Sequence, residues 1–378
     1  MKQLINATST PLASIFGSGF LIIVPILAGV VGSYAIFAIL AVTILAYAVG
    51  SVVRYNIRVA EPALEAGTAS HHTEVFERGS DVALVLAYVI SVLLYIKILA
   101  SFFLGGVENV IPGINTPMVS HILVSMVIAS IAFVGYFHGL SLLQRLENVA
   151  LWVTLVIIVA LLAGFSSYGL AAYQGQGIVW PETPDKSLWE ITTVVAGTLI
   201  VVQGFETSRY LGREFDTETR IRSSRLSQII SMVVYIAFIA LATPLMHTLD
   251  GKVETDSLIK LAGEASGLLI VPLILAAVLS QFSAAVADTM GGGGNLTEVS
   301  KQHVSTRCAY VIICGGAIAL ALAPTLTILA LASRAFAFYY MMQCFVAMSV
   351  NDSKNQRIAI GAVAAVLAFI MIFAVPAG

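Results

Sequence analysis

Apolar segments of about 20 residues, the length an α-helix needs to cross the hydrocarbon core of a bilayer, follow one another along most of this chain. Lipid offers no partner to a free backbone N–H or C=O, so a spanning segment satisfies its own groups as a helix or joins a closed barrel. Runs this long and this continuously apolar are expected as helices, near 11–32, 34–56, 81–105, 118–138, 147–170, 190–213, 226–247, 265–290, 306–323, 325–349 and 356–376. The expected fold is all-α: eleven transmembrane helices in one membrane domain over 1–378. The basic residues test that count. Lys2, Arg54, Arg58, Arg78, Arg145, Arg209, Arg213, Arg220, Arg222, Arg225, Lys301, Arg307, Lys354 and Arg357 fall on one side. Only Lys186, Lys252 and Lys260 fall on the other, while Lys97 and Arg334 stay at membrane depth. Fourteen against three is a strong positive-inside bias. It predicts an integral protein of a cytoplasmic (inner) membrane, its N-terminus inside and its C-terminus outside. No cleavable signal peptide is expected, because the first apolar segment contains Pro25 and runs too long for a signal core.

Charged residues make up 11% of the chain, against about 25% in soluble domains. A net charge of −2 leaves no basic face for a nucleic-acid partner. Cys308, Cys314 and Cys344 lack metal-site or CxxC spacing, so neither a disulfide framework nor a zinc site is suggested, and no cofactor is expected.

Two segments are interrupted. Gln203-Gly204-Phe205-Glu206-Thr207-Ser208-Arg209 places a glycine, an acid and a base inside the sixth, and Gly17-Ser18-Gly19-Phe20 breaks the first. An ionisable group at membrane depth costs about 2.5 kcal/mol even on the mildest scales, so it faces a cavity or a partner. Glu206 and Arg209, three apart, have the spacing of an ion pair near a helix end, which is the structural alternative. Paired interruptions in corresponding segments of two halves point instead to a site for a transported ligand.

The connections are less informative. Arg54–Ser80 reads as a solvated, partly helical loop; its His71-His72 pair is a weak metal candidate, since adjacent residues do not share a helix face. The mixed-charge run 213–225 is expected as a solvated connection able to close a path by ion pairing. Gly291–Gly294 is expected to end the eighth helix as a flexible exit. A phosphate cradle there lacks both the Lys-Ser/Thr pair and the preceding strand.

Gly17-Ser18-Gly19-Phe20, followed by Pro25, Gly29 and Gly32, resembles the first helix of the amino acid–polyamine–organocation (APC) transporter superfamily. Gly204-Phe205-Glu206, followed by Arg213-Glu214 and an apolar segment from Ser227, resembles its sixth helix and following loop. The resemblance implies a LeuT-type, five-plus-five inverted repeat: a first repeat over 11–170, a second over 190–349 and an accessory helix over 356–376. It further implies a cation-coupled symporter for a small molecule, an amino acid or related amine, bound between the broken first and sixth helices. Free N–H groups around Ser18 to Phe20 would meet a carboxylate at a positive helix terminus. Carbonyls near Val202 and Gln203 would accept from an ammonium, with Phe205 and a tyrosine of the third helix (Tyr95 or Tyr88) covering the pocket. The substrate-binding set is thus Gly17, Ser18, Gly19, Phe20, Val202, Gln203, Gly204, Phe205, Glu206 and Tyr95. The chain departs from the family in lacking a counterpart of its twelfth helix. It ends the second helix in Gly50–Arg54, where many members carry an acid. It also has Thr154 where proton-coupled members carry a lysine, which argues against a lysine-based proton mechanism.

Sodium-coupled members use small hydroxyl residues on the eighth helix. Here Ser280, Ser283 and Ala284 share a face, with Asp288 and Thr289 beyond. Oxygen ligands suit a hard cation, so these five residues form the expected ion-coupling set, with sodium as the first expectation and a proton as the alternative. Lys97 is expected to snorkel to the outer interface, and Arg334 to lie near an outer gate. An inorganic cation transporter on the same fold, using Asp288 and Glu206, is the alternative function. An intramembrane enzyme is the remote one, because His121, His138 and His247 are scattered and neither HExxH nor GxSxG occurs.

Overall fold

The computed structural model describes residues 2–17, 19–108, 110–175, 177–212, 214–249 and 251–377, without the side chains of Lys2 and residues 141–148. Ser18 and Arg213 therefore lie outside the described residues, as does the Arg145 side chain.

The chain is all-helical, with no strand among the described residues. In order the α-helices are α1 (Lys2–Gly17), α2 (Ile23–Val30), α3 (Ala35–Tyr55), α4 (Glu61–Glu65), α5 (His71–Glu108), α6 (Pro117–Phe137) and α7 (Ser141–Gln174). They continue with α8 (Leu188–Ala196), α9 (Thr217–Ala242), α10 (Ser257–Ala265), α11 (Ile270–Val299), α12 (Thr306–Ala319), α13 (Thr325–Ser349) and α14 (Lys354–Phe373). Eight helical stretches among the described residues are long and apolar enough to cross a membrane: 32–65, 71–108, 117–137, 149–174, 217–249, 267–299, 325–349 and 354–373. This is an integral membrane protein. Three of the eleven expected segments are not uninterrupted spans. The first is split into α1 and α2. The sixth is split into α8 and two 3₁₀ turns, Leu199–Val202 and Phe205–Leu211. The ninth, α12, ends at Ala319.

Helix starts are set by side-chain caps where the apolar pattern alone leaves them vague. Asp216 accepts the Thr219 N–H (2.9 Å) to start α9, and Ser305 accepts that of Cys308 (3.4 Å) to start α12. Ser187 and Glu190 form a reciprocal capping box on α8. α5 begins ten residues before the expected 81, so His71 and His72 occupy its exposed first turn. No group of three metal-ligating side chains occurs among the described residues.

The largest departure is at Gly291–Gly294. These glycines do not end a helix; α11 runs through them to Val299. The reason is packing. A Cβ on Gly292 would lie 2.7 Å from Ile313 of α12 and 3.2 Å from Tyr88 of α5, and Gly293 lies flat against the Tyr310 ring. Small residues let helices approach closely in a membrane, and this contact outweighs the helix-weakening tendency of glycine.

α5 is the central post, buried along most of its length, with α11 and α13 packed against it. Lys97, expected at the interface, is accordingly only 8% exposed. Arg334 donates from Nε to the Ala374 carbonyl (2.8 Å) just past α14. The next residue, Val375, donates its N–H to Thr193 of α8 (3.1 Å), which fastens the chain's last turn to the first half of the sixth segment.

Candidate functional site

The two interruptions meet in the core. α1 stops at Gly17, whose carbonyl accepts from Gln281 Nε2 of α11 (2.8 Å), and Gly19 follows at φ +153°. In the sixth segment, Ser333 of α13 donates to the Gly197 carbonyl (2.7 Å) and accepts the Ile200 N–H (3.1 Å), splicing α8 to the first 3₁₀ turn. Gln203 is then extended and Gly204 takes φ +125°. A Cβ on Gly19 would stand 2.9 Å from Val201 Cγ2, and one on Gly204 would stand 2.6 Å from the Ile15 nitrogen. Each glycine thus sits where the other segment's backbone passes, in a conformation that side chains rarely adopt. One side chain reaches both breaks. The Tyr235 hydroxyl of α9 lies 2.7 Å from the Val201 carbonyl and 3.2 Å from that of Ile15.

Around this crossing, Phe20 packs on Phe238 (4.1 Å between centroids) and Tyr235 (5.4 Å). Phe205 stacks on Tyr340 of α13 (5.3 Å, 15° between planes). Val202 is buried, and Gln203 Nε2 donates to Tyr95 Oη (2.9 Å). Of the expected substrate-binding set, all but Ser18 are therefore drawn to one place.

Glu206 is fully buried. Its Oε2 accepts from the Gly204 N–H (2.8 Å) and the Tyr340 hydroxyl (2.7 Å), while Oε1 has no hydrogen-bond partner among the described residues. The Glu206–Arg209 ion pair does not form. Glu206 turns back to the Gly204 N–H at the start of its 3₁₀ turn. Arg209 reaches the other way, to Glu61 of α4 (3.1 Å) and Glu77 of α5 (2.5 Å). Arg220 of α9 joins the same cluster through Glu61 (2.9 Å) and the Arg209 carbonyl (2.8 Å). Gln343 of α13 links Ser80 (2.6 Å) to Asn56 (2.8 Å) beside it. A buried guanidinium is thus shared by two carboxylates, with further hydrogen bonds around it.

The expected ion-coupling residues fall into two groups. Ser280 and Ser283 border a void of about 10 Å³ with Gly17 and Thr154, whose hydroxyl has no partner among the described residues. Ala284 touches Gly17: a Cβ there would lie 2.8 Å from its own. Asp288, about one turn beyond Ala284 on α11, instead accepts from the Ser91 hydroxyl of α5. With Ser283, Thr10, Tyr88, Thr207 and Tyr210 it lines a separate cavity of about 170 Å³. Ser283 borders both spaces. Thr289 is turned to its own helix, donating to the Ala285 carbonyl (2.7 Å), and borders neither.

Tyr235, Tyr340, Ser333 and Gln281 hold the crossing together, and the sequence reading assigned none of them. Gln281 carried a signal, an amide inside an apolar run. The others read as packing or as local helix bonding until their neighbours are known.

A family model described as "APC superfamily transporter" matches residues 1–375. A protein of Aquifex aeolicus (strain VF5) described as an uncharacterized protein is 37% identical over 362 residues, covering 94% of this chain and 86% of that relative. A membrane-embedded helical chain with two abutting helix breaks, matched almost end to end, belongs to the APC superfamily of transporters.

Proposed function

We propose that the chain is a cation-coupled secondary transporter for an amino acid or related amine, working by alternating access around the crossing of the first and sixth segments. The observation that carries this reading is the mutual contact of Gly19 with Val201 and of Gly204 with Ile15. Two broken segments held against each other at depth bring backbone outside regular helix to one place, the physical setting for meeting a zwitterion without dedicated charged side chains. In this reading the chain is a LeuT-type five-plus-five repeat of eleven segments, with α14 as accessory and the N-terminus inside. The buried Arg209–Glu61–Glu77 cluster seals the inward path. Ser280, Ser283 and the Thr154 hydroxyl, which has no partner among the described residues, gather at Gly17 and suit a single cation of sodium's size and hardness.

The second reading, an inorganic cation transporter, is favoured by the Asp288 cavity, whose lining offers hydroxyls and one carboxylate and no base. One experiment addresses both readings. Purified protein in liposomes is given amino acids, amines and inorganic cations under separate sodium and proton gradients. Sodium-driven uptake of an organic substrate that Thr154→Val weakens supports the first reading. Cation flux with no organic substrate supports the second and overturns the first. Asp288→Asn tests the coupling role of that acid; wild-type behaviour under both gradients makes it structural.

A further inference from the structure

Arg54 lies at the end of α3 and is only 5% exposed, yet no carboxylate comes within 4.0 Å of it among the described residues. It is held by neutral groups. Its Nη1 bonds Gln228 Oε1 of α9, its Nη2 reaches the Tyr47 carbonyl (3.4 Å), and its guanidinium lies 4.9 Å from the centre of the Tyr47 ring. Gln228 in turn donates to the Ala46 carbonyl (2.7 Å), and Gly50 leaves room for its amide, so this side chain pins the α3–α9 seam. A desolvated cation needs a counter-charge. The neighbouring groups add positive charge instead. Arg225 is exposed, also without a carboxylate, and close enough to act electrostatically on Arg54. Arg58 and Arg222 are exposed and share the single acid Glu218 (3.5 and 2.9 Å).

The seam also faces lipid. On α3 the exposed positions Leu40, Ile44 and Ser51 run down to Arg58, and on α9 Val233 and Ile229 run down to Arg225 and Arg222. By helical periodicity Arg54 and Tyr47 sit between the α3 face that meets Gln228 and this lipid-exposed stripe. Arg225 sits on the lipid side of Gln228. Two apolar tracks thus converge on a group of four guanidiniums and one carboxylate at the membrane boundary.

We propose that this seam is a binding site for an anionic phospholipid, its phosphate between Arg225 and Arg58 over the buried Arg54 charge, and its acyl chains along Ile44, Ile229 and Val233. Charge complementarity and the apolar tracks argue for this occupant together. A free phosphate would use the arginines and leave the tracks idle. Basic pockets between helices at the membrane boundary recognise lipid headgroups by the same logic. Neither the crossing of the broken segments nor the Asp288 cavity takes part, so the proposal stands apart from the transport reading.

The test uses the full-length protein purified in detergent, offered phosphatidylglycerol or phosphatidylcholine and examined for retained lipid by native mass spectrometry. The expected result is selective retention of phosphatidylglycerol by wild type. Retention should fall to less than half in Arg58→Gln/Arg225→Gln and stay unchanged in Lys354→Gln/Arg357→Gln, which removes equal charge from the start of α14. All four substituted side chains are exposed, so both variants are expected to fold; single Arg225→Gln serves if the first double variant does not. Equal retention in the Arg58/Arg225 variant, equal loss in the α14 variant, or displacement of the lipid by millimolar inorganic phosphate each overturns the proposal.

Discussion

At the scale of single residues, the crossing rests on positions that tolerate little change. Gly204→Ala should be costly for two separable reasons, a φ of +125° and a Cβ pressed onto Ile15 and Ser14. Gly67 separates them, because it also has positive φ (+65°) but nothing within 4 Å. Backbone strain of this kind costs about 1–3 kcal/mol, and Gly67→Ala should show that cost alone. Gly204→Ala should lower the unfolding temperature further and abolish uptake; equal shifts in the two variants would mean that the breaks do not touch as described. Tyr235→Phe should remove about 0.5–1.5 kcal/mol by deleting the hydroxyl's hydrogen bond to the Val201 carbonyl, which denaturant titration can measure. The sequence made some of these positions legible and hid others. A glycine or an acid inside an apolar run announces itself because the run should not contain it. A tyrosine does not, since its ring suits the run and only the partner of its hydroxyl distinguishes Tyr235 or Tyr340 from packing. Glu206 was legible as a buried acid but not as Tyr340's partner, because its neighbour in sequence, Arg209, offered a simpler pairing that the geometry refuses.

At the scale of helices, hydropathy located the segments and side-chain caps placed their ends. α13 begins and ends where its apolar run does, whereas α5 and α11 extend well past theirs. The glycine tetrad in α11 was misread because propensity is a local quantity and the contact with α5 and α12 is not. That contact makes a sharp contrast. Gly293→Val would overpack the Tyr310 ring and should cost about 1–3 kcal/mol. Gly294→Ala, at an exposed position with nothing within 4 Å, should be neutral or gain up to about 1 kcal/mol of helix propensity. Thermal unfolding of the two variants side by side checks this, and a well-tolerated valine at 293 would contradict close packing. The cap on α9 predicts a pH dependence. The Thr219 N–H and hydroxyl hold the Asp216 carboxylate below the usual carboxylate range. Its contribution to stability is complete above the ordinary carboxylate pKa and is lost as pH falls through the lowered folded-state value. The stability difference between wild type and Asp216→Asn should therefore shrink on acidification below that range.

At the scale of the whole molecule, charge asymmetry predicts orientation. A cysteine replacing Glu182, in the α7–α8 connection, should label from outside intact cells, and one replacing Glu218, at the start of α9, only after permeabilisation. The reverse pattern would invert the assigned topology. In the proposed reading Arg209, held by α4 and α5 together, seals the inward path, so Glu77→Gln should leave that path more accessible to a membrane-impermeant thiol reagent acting on a cysteine at Thr10. The crossing itself poses a problem of supply and demand. A phenol has a single hydrogen to give, and the carbonyls of Ile15 and Val201 both lie within its reach, at 3.2 and 2.7 Å. In the arrangement seen, the nearer carbonyl takes the larger share. Any motion that draws α1 away from the sixth segment ends the competition, because one hydroxyl cannot then reach both segments. Tyr235 is therefore a link that the two segments share only while they touch, made with one proton and no charge of its own.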